Sequence, residues 1–200
     1  MLYVTHDHNE ARFMGDQVLV IDQGRVVQIG PPEMIFARPV SRFVAHFTAT
    51  RNILPGQIIK RCGVDKALVE VAGVQLFSTS FPAEFEDVWV CIRPEHFSFV
   101  DNRSKVALLH LSEKPVASES TQTAADNFIS GYRISQIIPQ SGATVMVELK
   151  SFSERLLVLA SNRRIADYEL NVGNPVNITV AAEQVHCLPR QPDDIYCRPE

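Results

Sequence analysis

The stretch Val90-Cys91-Ile92-Arg93-Pro94-Glu95-His96-Phe97 returns in altered form as Ile178-Thr179-Val180-Ala181-Ala182-Glu183-Gln184-Val185. Each copy is an apolar run followed by a turn that carries a glutamate at the same place. The similarity extends outward, because Val69-Glu70-Val71 recurs as Val147-Glu148-Leu149. The pattern predicts two repeated β units, neither of which has enough strands to close a barrel by itself.

Short apolar runs separated by Gly, Pro and polar turns fill residues 49–190, which is typical of a small β-barrel. Gly56 opens the first unit, predicted over about 51–101, and Gly131 opens the second, over about 128–188. The expected strands are Gly56–Lys60, Lys66–Val71, Val74–Ser78, Val88–Arg93, Phe97–Val100, Ser130–Ile138, Thr144–Leu149, Leu156–Ala160 and Val176–Ala181. A composition rich in Ser, Thr, Glu and Ala predicts a mobile connector over 113–126, and residues 191–200 are expected to form an irregular tail.

Residues 1–48 have a different texture, that of a small α/β segment. Leu2-Tyr3-Val4-Thr5-His6-Asp7 predicts a short strand that runs into a polar turn. A helix is expected over residues 9–16, with Ala11, Phe13 and Met14 facing inward and with Asp7 or Asn9 as its cap.

A hairpin follows that helix. The continuous apolar run at residues 18–21 predicts a strand covered on both faces, and residues 25–29 are its expected partner. Pro32 suits the first turn of a further short helix. If no larger body covers these strands, the segment 1–48 is expected to pack against the β units or to mediate dimerisation.

Composition bounds the function classes. A net charge of -4 and a pI near 5.9 give no broad attraction for nucleic acid or anionic lipid. No apolar run approaches the ~20 residues that span a bilayer, and no secretory signal is visible. The four cysteines include no Cys-x-x-Cys pair, which argues against zinc and fits a reducing compartment.

The opening motif resembles the switch-histidine segment of ABC transporter ATP-binding subunits, in which Val-Thr-His-Asp-x-x-Glu-Ala is typical. The run from Val18 to Pro39 is also similar to the end of that family's nucleotide-binding domain. The resemblance implies that His6 contacts the γ-phosphate of ATP, that Asp7 belongs to the adjoining loop, and that residues 1–48 are the C-terminal remnant of an ATPase domain.

Other parts of such an ATPase are not in the sequence. It contains no Gly-x-x-x-x-Gly-Lys-Ser/Thr phosphate loop, no Leu-Ser-Gly-Gly-Gln signature and no apolar strand that ends in Asp-Glu. Phosphoryl transfer depends on positioning by the phosphate loop, its lysine and magnesium. The chain is therefore expected to be inactive by itself, with ATP and magnesium bound only by the intact parent, and with no cofactor of its own.

The β units resemble the transport-associated oligonucleotide/oligosaccharide-binding (TOBE) region of importer ATPases, an OB-like β-barrel. Arg51-Asn52-Ile53-Leu54-Pro55-Gly56, Ile92-Arg93-Pro94-Glu95 and Gly173-x-Pro175-Val176 carry this resemblance, which is strongest to the molybdate/tungstate group. It implies a regulatory domain that forms a homodimer beside membrane permease subunits. The location would be cytoplasmic, peripheral on the inner face of the plasma membrane.

The same resemblance implies a small-oxyanion site at Arg51, Asn52 and Ser161, formed across a dimer interface. The alternative for Arg51 and Asn52 is a structural capping role, which we favour. Ala181 stands where those modules commonly carry a lysine, so one positive charge is lost. Arg93 and Glu95 are interpreted as structural, Trp89 as core, and His186 as a strand-end histidine for which the sequence supplies no partner.

Several functions stay open at this stage. The favoured one is the C-terminal part of an importer ATPase for molybdate, tungstate or sulfate; sugars, polyamines and ferric iron are alternatives for its cargo. A free-standing module for a small anion is a second class. Oligonucleotide binding is the third, opposed by the acidic balance and by the lack of aromatics interleaved with basic residues.

Overall fold

The computed structural model describes residues 2–100, 127–151 and 154–190. The predicted connector, 113–126, and the predicted tail, 191–200, lie outside the described residues. The described elements begin with a segment of three helices and a hairpin, and continue with two five-stranded antiparallel sheets. The prediction of a mainly β fold with OB-like sheets is confirmed.

The N-terminal segment, residues 2–48, forms a small layer of its own. Its elements are α1 (His8–Met14), β1 (Val18–Asp22), β2 (Arg25–Gly30), α2 (Pro32–Ala37) and α3 (Arg42–Phe47). Val18 and Val20 of the hairpin point into a cluster with Ile35, Phe36 and Val44. Pro32 occupies the first turn of α2, as expected, because its fixed φ suits a position that needs no amide donor.

Three local predictions for this segment are wrong. Residues 2–5 form no strand, since no neighbouring strand among the described residues pairs with their backbone. Of the three residues predicted to face inward from α1, only Ala11 packs against the N-terminal cluster, whereas Phe13 and Met14 are exposed. Strand β1 is covered on one face only, since buried and exposed residues alternate along it. None of the residues of its partner β2 is fully buried.

The two repeated units supply the two large sheets. The first unit contributes β3 (Asn52–Arg61), β4 (Ala67–Val71), β5 (Val74–Ser78), β6 (Asp87–Ile92) and β7 (Ser98–Val100). The second contributes β8 (Asn127–Pro139), β9 (Thr144–Lys150), β10 (Arg155–Ser161), the helix α4 (Asn162–Asp167), β11 (Pro175–Val180) and β12 (His186–Pro189). Short 3₁₀ turns, Pro94–His96 and Ala182–Gln184, stand at equivalent places in the two copies of the repeat.

Each unit gives its last strand to the sheet of the other. The strand orders are β12-β6-β3-β4-β5 and β10-β9-β8-β11-β7, so one order reproduces the other with the units exchanged. Strand β7 pairs with β11 of the second unit, and β12 pairs with β6 of the first. The exchange explains why neither unit closes alone, since each sheet lacks an edge strand without its neighbour.

One hydrophobic core lies between the two sheets. Its fully buried side chains are contributed by both units: Val69, Val88, Val90, Ile134, Val147, Leu149, Val158, Ile178, Val180 and Val185. Fully buried residues alternate with partly buried or exposed ones along β4, β9 and β10, as in strands with one face on a core. The N-terminal segment packs outside this core, which creates a cleft between it and the sheets.

Candidate functional site

The turn before α1 is organised by hydrogen bonds around one glutamate. Asp7 caps α1 by accepting at Oδ1 from the Asn9 amide at 2.7 Å and the Glu10 amide at 3.3 Å. Thr5 donates its hydroxyl to Glu10 Oε2 at 2.6 Å and accepts from the Asp7 amide. The side chain of His6 is exposed and has no hydrogen bond within the described ranges. The Thr-His-Asp-x-x-Glu pattern thus builds a turn that presents its histidine outward.

Tyr3 adds to the same network. Its hydroxyl donates to Glu10 Oε2 at 3.1 Å. This hydrogen bond and the negative charge of Glu10 raise the pKa of Tyr3 above its ordinary value, because an anionic phenolate would be repelled by the carboxylate. Glu10 therefore holds the strandless residues ahead of α1 in place. Asp7, one of the two predicted caps, is confirmed.

An apolar contact joins the N-terminal segment to the first sheet. Ala45 of α3 packs in a buried cluster with Trp89, Cys91 and Leu188, so the interpretation of Trp89 as core is confirmed. The guanidinium of Arg42 lies 4.3 Å from the centroid of the Trp89 ring. Cation–π contact of this kind adds to the apolar burial. The expected packing of the segment on the β units is confirmed.

Arg93 is the main polar link across the cleft. Its Nε and Nη2 donate to the carbonyl of Phe36, at 3.2 and 3.0 Å, and Nη2 also donates to the carbonyl of Thr48 at 2.8 Å. Nη1 forms an ion pair with Glu95 at 3.4 Å. Burial lowers the pKa of Arg93. Its predicted structural role is confirmed, and it fastens two N-terminal helices to the repeat turn.

His186, for which the sequence supplied no partner, also bridges the cleft. Its Nδ1 lies 2.6 Å from Ser80 Oγ, and its Nε2 lies 2.9 Å from the carbonyl of Pro39. Nε2 therefore carries the proton and donates to Pro39, and Nδ1 accepts from the Ser80 hydroxyl. Burial lowers the pKa of His186. The sequence could not show this, since its partners lie far away in the chain.

These contacts border a cavity of about 510 Å³ between the segment and the sheets. Its charged lining balances, with Arg12, Arg38 and Arg93 against Glu33, Glu95 and Glu183. His96 also lines it, and His96 Nδ1 is buried without a hydrogen-bond partner among the described residues. Burial lowers the pKa of this imidazole. The balanced charges show no preference for an anion or a cation.

The three predicted oxyanion contacts lie at different places. Asn52 is buried, and its amide is occupied by Ile92 and Leu157 through three hydrogen bonds. Ser161 is exposed and caps α4, four residues beyond Leu157 in β10, which is about 13 Å along the strand. Arg51 is exposed and lines a second, smaller cavity. The chain does not gather these side chains around one ligand; the predicted site across a dimer interface stays a prediction.

The described ranges also bear on metal binding and on membrane insertion. No group of three or more His, Cys, Asp or Glu side chains in them is placed to hold a metal ion. No helix in the described part of the chain is long and apolar enough to cross a membrane.

Comparison with known proteins indicates which class of protein this chain is similar to. No protein family model matches the sequence. A spermidine/putrescine import ATP-binding protein of Clostridium novyi is 38% identical over 102 residues, 50% of this chain and 28% of the relative. The corresponding protein of Rubrobacter xylanophilus is 32% identical over 126 residues, 60% of this chain and 33% of the relative.

A maltose/maltodextrin import ATP-binding protein of Escherichia coli is 38% identical over 104 residues, 48% of this chain and 28% of the relative. The chain therefore spans about a third or less of the length of these curated relatives. Over about half its length it is similar to the C-terminal part of ATP-binding subunits of ABC importers.

One solved structure bears on the fold. The molybdate-bound crystal structure of the cytoplasmic molybdate-binding protein ModG superposes with a TM-score of 0.54, at 13% identity, over 71% of this chain and 98% of that chain. At this identity the likeness concerns the fold, which is that of the two exchanged β units.

Proposed function

We propose that this chain works as the C-terminal part of the ATP-binding subunit of an ABC importer. The observation that carries the proposal is the one-sided burial of the N-terminal hairpin. Leu19, Ile21, Val26 and Ile29 are 47–59% exposed, although their pattern suits burial. The similarity to import ATP-binding proteins supports the same proposal. In it, this exposed apolar face of the hairpin is the surface that meets the rest of a nucleotide-binding domain.

His6 takes the role of a γ-phosphate contact in the assembled subunit. The Glu10 network holds the turn and leaves the imidazole of His6 free to donate to a phosphate oxygen. The phosphate loop, the magnesium ion and the catalytic base come from the body of the ATPase. His6 orients and senses the phosphate there, and the chain by itself does not hydrolyse ATP.

The two sheets serve as the regulatory domain of that subunit. In the proposed assembly two such chains form a homodimer beside membrane permease subunits, on the cytoplasmic face of the plasma membrane. The cleft contacts of Arg93 and His186 join the nucleotide-binding part to the sheets, so movement in one is passed to the other. The names of the relatives favour a polyamine or a sugar as cargo over an oxyanion.

An association experiment tests the docking face. The test uses the Clostridium novyi relative without the 28% that matches this chain. This protein is mixed with the full chain, and the molar mass of the mixture is measured by light scattering after size-exclusion chromatography. We expect a complex that Leu19→Glu and Ile29→Glu each abolish. Ile59→Glu, at an equally exposed site on β3, is the matched control and should leave the complex intact. If the chain stays unbound, the proposed docking face is wrong.

A second candidate function is a free-standing module for a small oxyanion. The fold shared with molybdate-bound ModG favours it. Calorimetry of the chain with molybdate, tungstate and sulfate is the test. Micromolar binding that is lost on Arg51→Gln and kept on Arg12→Gln supports the module, and the absence of heat for all three anions removes it.

A further inference from the structure

A second cavity, of about 230 Å³, opens between α1 and the start of β3. His8 and Arg12 line it from α1, and Arg51 and Arg93 line it from the β units. It therefore lies on the boundary between the N-terminal segment and the sheets. Its volume is several times the ~30 Å³ that one water molecule occupies in the liquid.

The lining of this cavity is electropositive. Three arginines and one histidine face a single carboxylate, that of Glu95. Glu95 is already paired with Arg93 Nη1 at 3.4 Å. The side chains of Arg12 and Arg51 form no ion pair or hydrogen bond anywhere in the described ranges. The positive charge of Arg12 also contributes, after burial, to the lowered pKa of Arg93.

Two of these guanidiniums are held in place before any ligand arrives. The Phe36 ring lies 5.4 Å from the Arg12 guanidinium carbon and 5.5 Å from that of Arg93. Arg93 is fixed further by its bonds to the carbonyls of Phe36 and Thr48. Holding like charges together costs free energy, which an anion between them would offset.

We propose that this cavity binds a tetrahedral dianion, a phosphate group either free or carried by a small phosphomonoester. Guanidinium groups present several N–H donors in a fork that matches such oxygens, and charge-assisted hydrogen bonds of this kind are strong. The bound anion bridges Arg12 and Arg51 and so fastens α1 to the sheets. This goes beyond the proposed transport role and does not depend on it.

The test is calorimetry on the full chain with inorganic phosphate and with glycerol 3-phosphate, at constant ionic strength set by chloride. We expect binding of at least one, with a higher melting temperature in its presence. Arg12→Gln and Arg51→Gln should each weaken binding about tenfold or more, since each removes a charged donor. Arg163→Gln, which removes the charge of a 90% exposed arginine side chain on α4, is the matched control.

Each outcome decides something. Tighter binding of glycerol 3-phosphate assigns the site to phosphomonoesters, and tighter binding of inorganic phosphate assigns it to the free anion. No heat with either probe beyond that of chloride overturns the proposal. So does binding that Arg12→Gln and Arg51→Gln leave unchanged, because the anion would then lie elsewhere.

Discussion

Two buried asparagines hold equivalent positions in the two units. Asn52 begins β3 and bonds through its amide to Leu157 of β10, and Asn127 begins β8 and bonds in the same way to Phe77 of β5. Both targets are edge strands of the opposite sheet. Each amide therefore supplies backbone groups at a sheet edge with the partners that a neighbouring strand would give.

Asn52→Leu and Asn127→Leu are each expected to destabilise the fold by about 2–4 kcal/mol, because each orphans a part-buried backbone amide and carbonyl at a sheet edge. Asn52→Leu should cost the more, because it also removes the donor to the Ile92 carbonyl. Urea unfolding gives the comparison. Gln140→Ala, an exposed amide on the loop after β8, should change stability by less than about 0.5 kcal/mol. A small effect at both asparagines would show that the edges are satisfied in another way.

The buried histidines make stability depend on pH. Burial lowers the folded-state pKa of His96 and of His186. The unfolded chain therefore binds protons near the ordinary value of about 6.5, where the folded chain does not. The two histidines therefore leave the free energy of unfolding at its full value above the unfolded-state pKa. That free energy falls as the pH drops through the unfolded-state pKa toward the folded-state pKa.

Urea unfolding at about pH 7.5 and about pH 5.5 measures this effect. The wild-type chain should lose more stability on acidification than His186→Gln does, since the variant lacks one of the two imidazoles. An equal loss in both proteins would mean that His186 does not contribute.

At the scale of elements, the central strands depend on two glycines with different constraints. A Cβ on Gly56 of β3 would lie 2.9 Å from the carbonyl oxygen of Glu70 and 2.9 Å from a methyl of Val90. Gly131 of β8 has open space around it, but its φ is +87°. Close packing therefore requires glycine at position 56, and a left-handed backbone favours glycine at position 131.

Gly56→Ala should cost about 1–3 kcal/mol through overpacking, and Gly131→Ala about 1–2 kcal/mol through backbone strain. Asparagine separates the two causes, because it tolerates positive φ but is larger than alanine. We expect Gly131→Asn to be milder than Gly131→Ala, and Gly56→Asn to be worse than Gly56→Ala, in urea unfolding. If the alanine and asparagine variants ranked in the same order of stability at both positions, the two glycines would not differ in the cause of their constraint.

Local patterns predicted every strand of the two units except β12. The predicted strands are short apolar or alternating runs bounded by turn residues, a signal that each segment carries by itself. His186–Pro189 is four residues long and becomes a strand by pairing with β6 of the other unit, which no local pattern encodes. The inward face predicted for α1 was wrong at Phe13 and Met14 for a related reason, since an apolar side chain predicts burial but does not indicate which part of the fold covers it.

At the scale of the whole molecule, the site was predicted less well than the fold. His6 and Arg51 were identified through family resemblance, whereas Arg12 and the cleft roles of Arg93 and His186 came only from the structure. Their partners are brought together by packing of the N-terminal segment on the sheets. Sequence spacing carries no information about such contacts.

The central claim is that His6 serves a nucleotide held by the rest of an importer ATPase. The most direct measurement replaces the matching 28% of the Clostridium novyi relative by this chain and follows ATP turnover in the assembled importer. We expect an active chimera in which His6→Ala lowers kcat by about a hundredfold or more, through loss of a transition-state contact, while the exposed control His46→Ala stays near wild type. An inactive chimera, or one in which His6→Ala and His46→Ala turn over ATP alike, would contradict it.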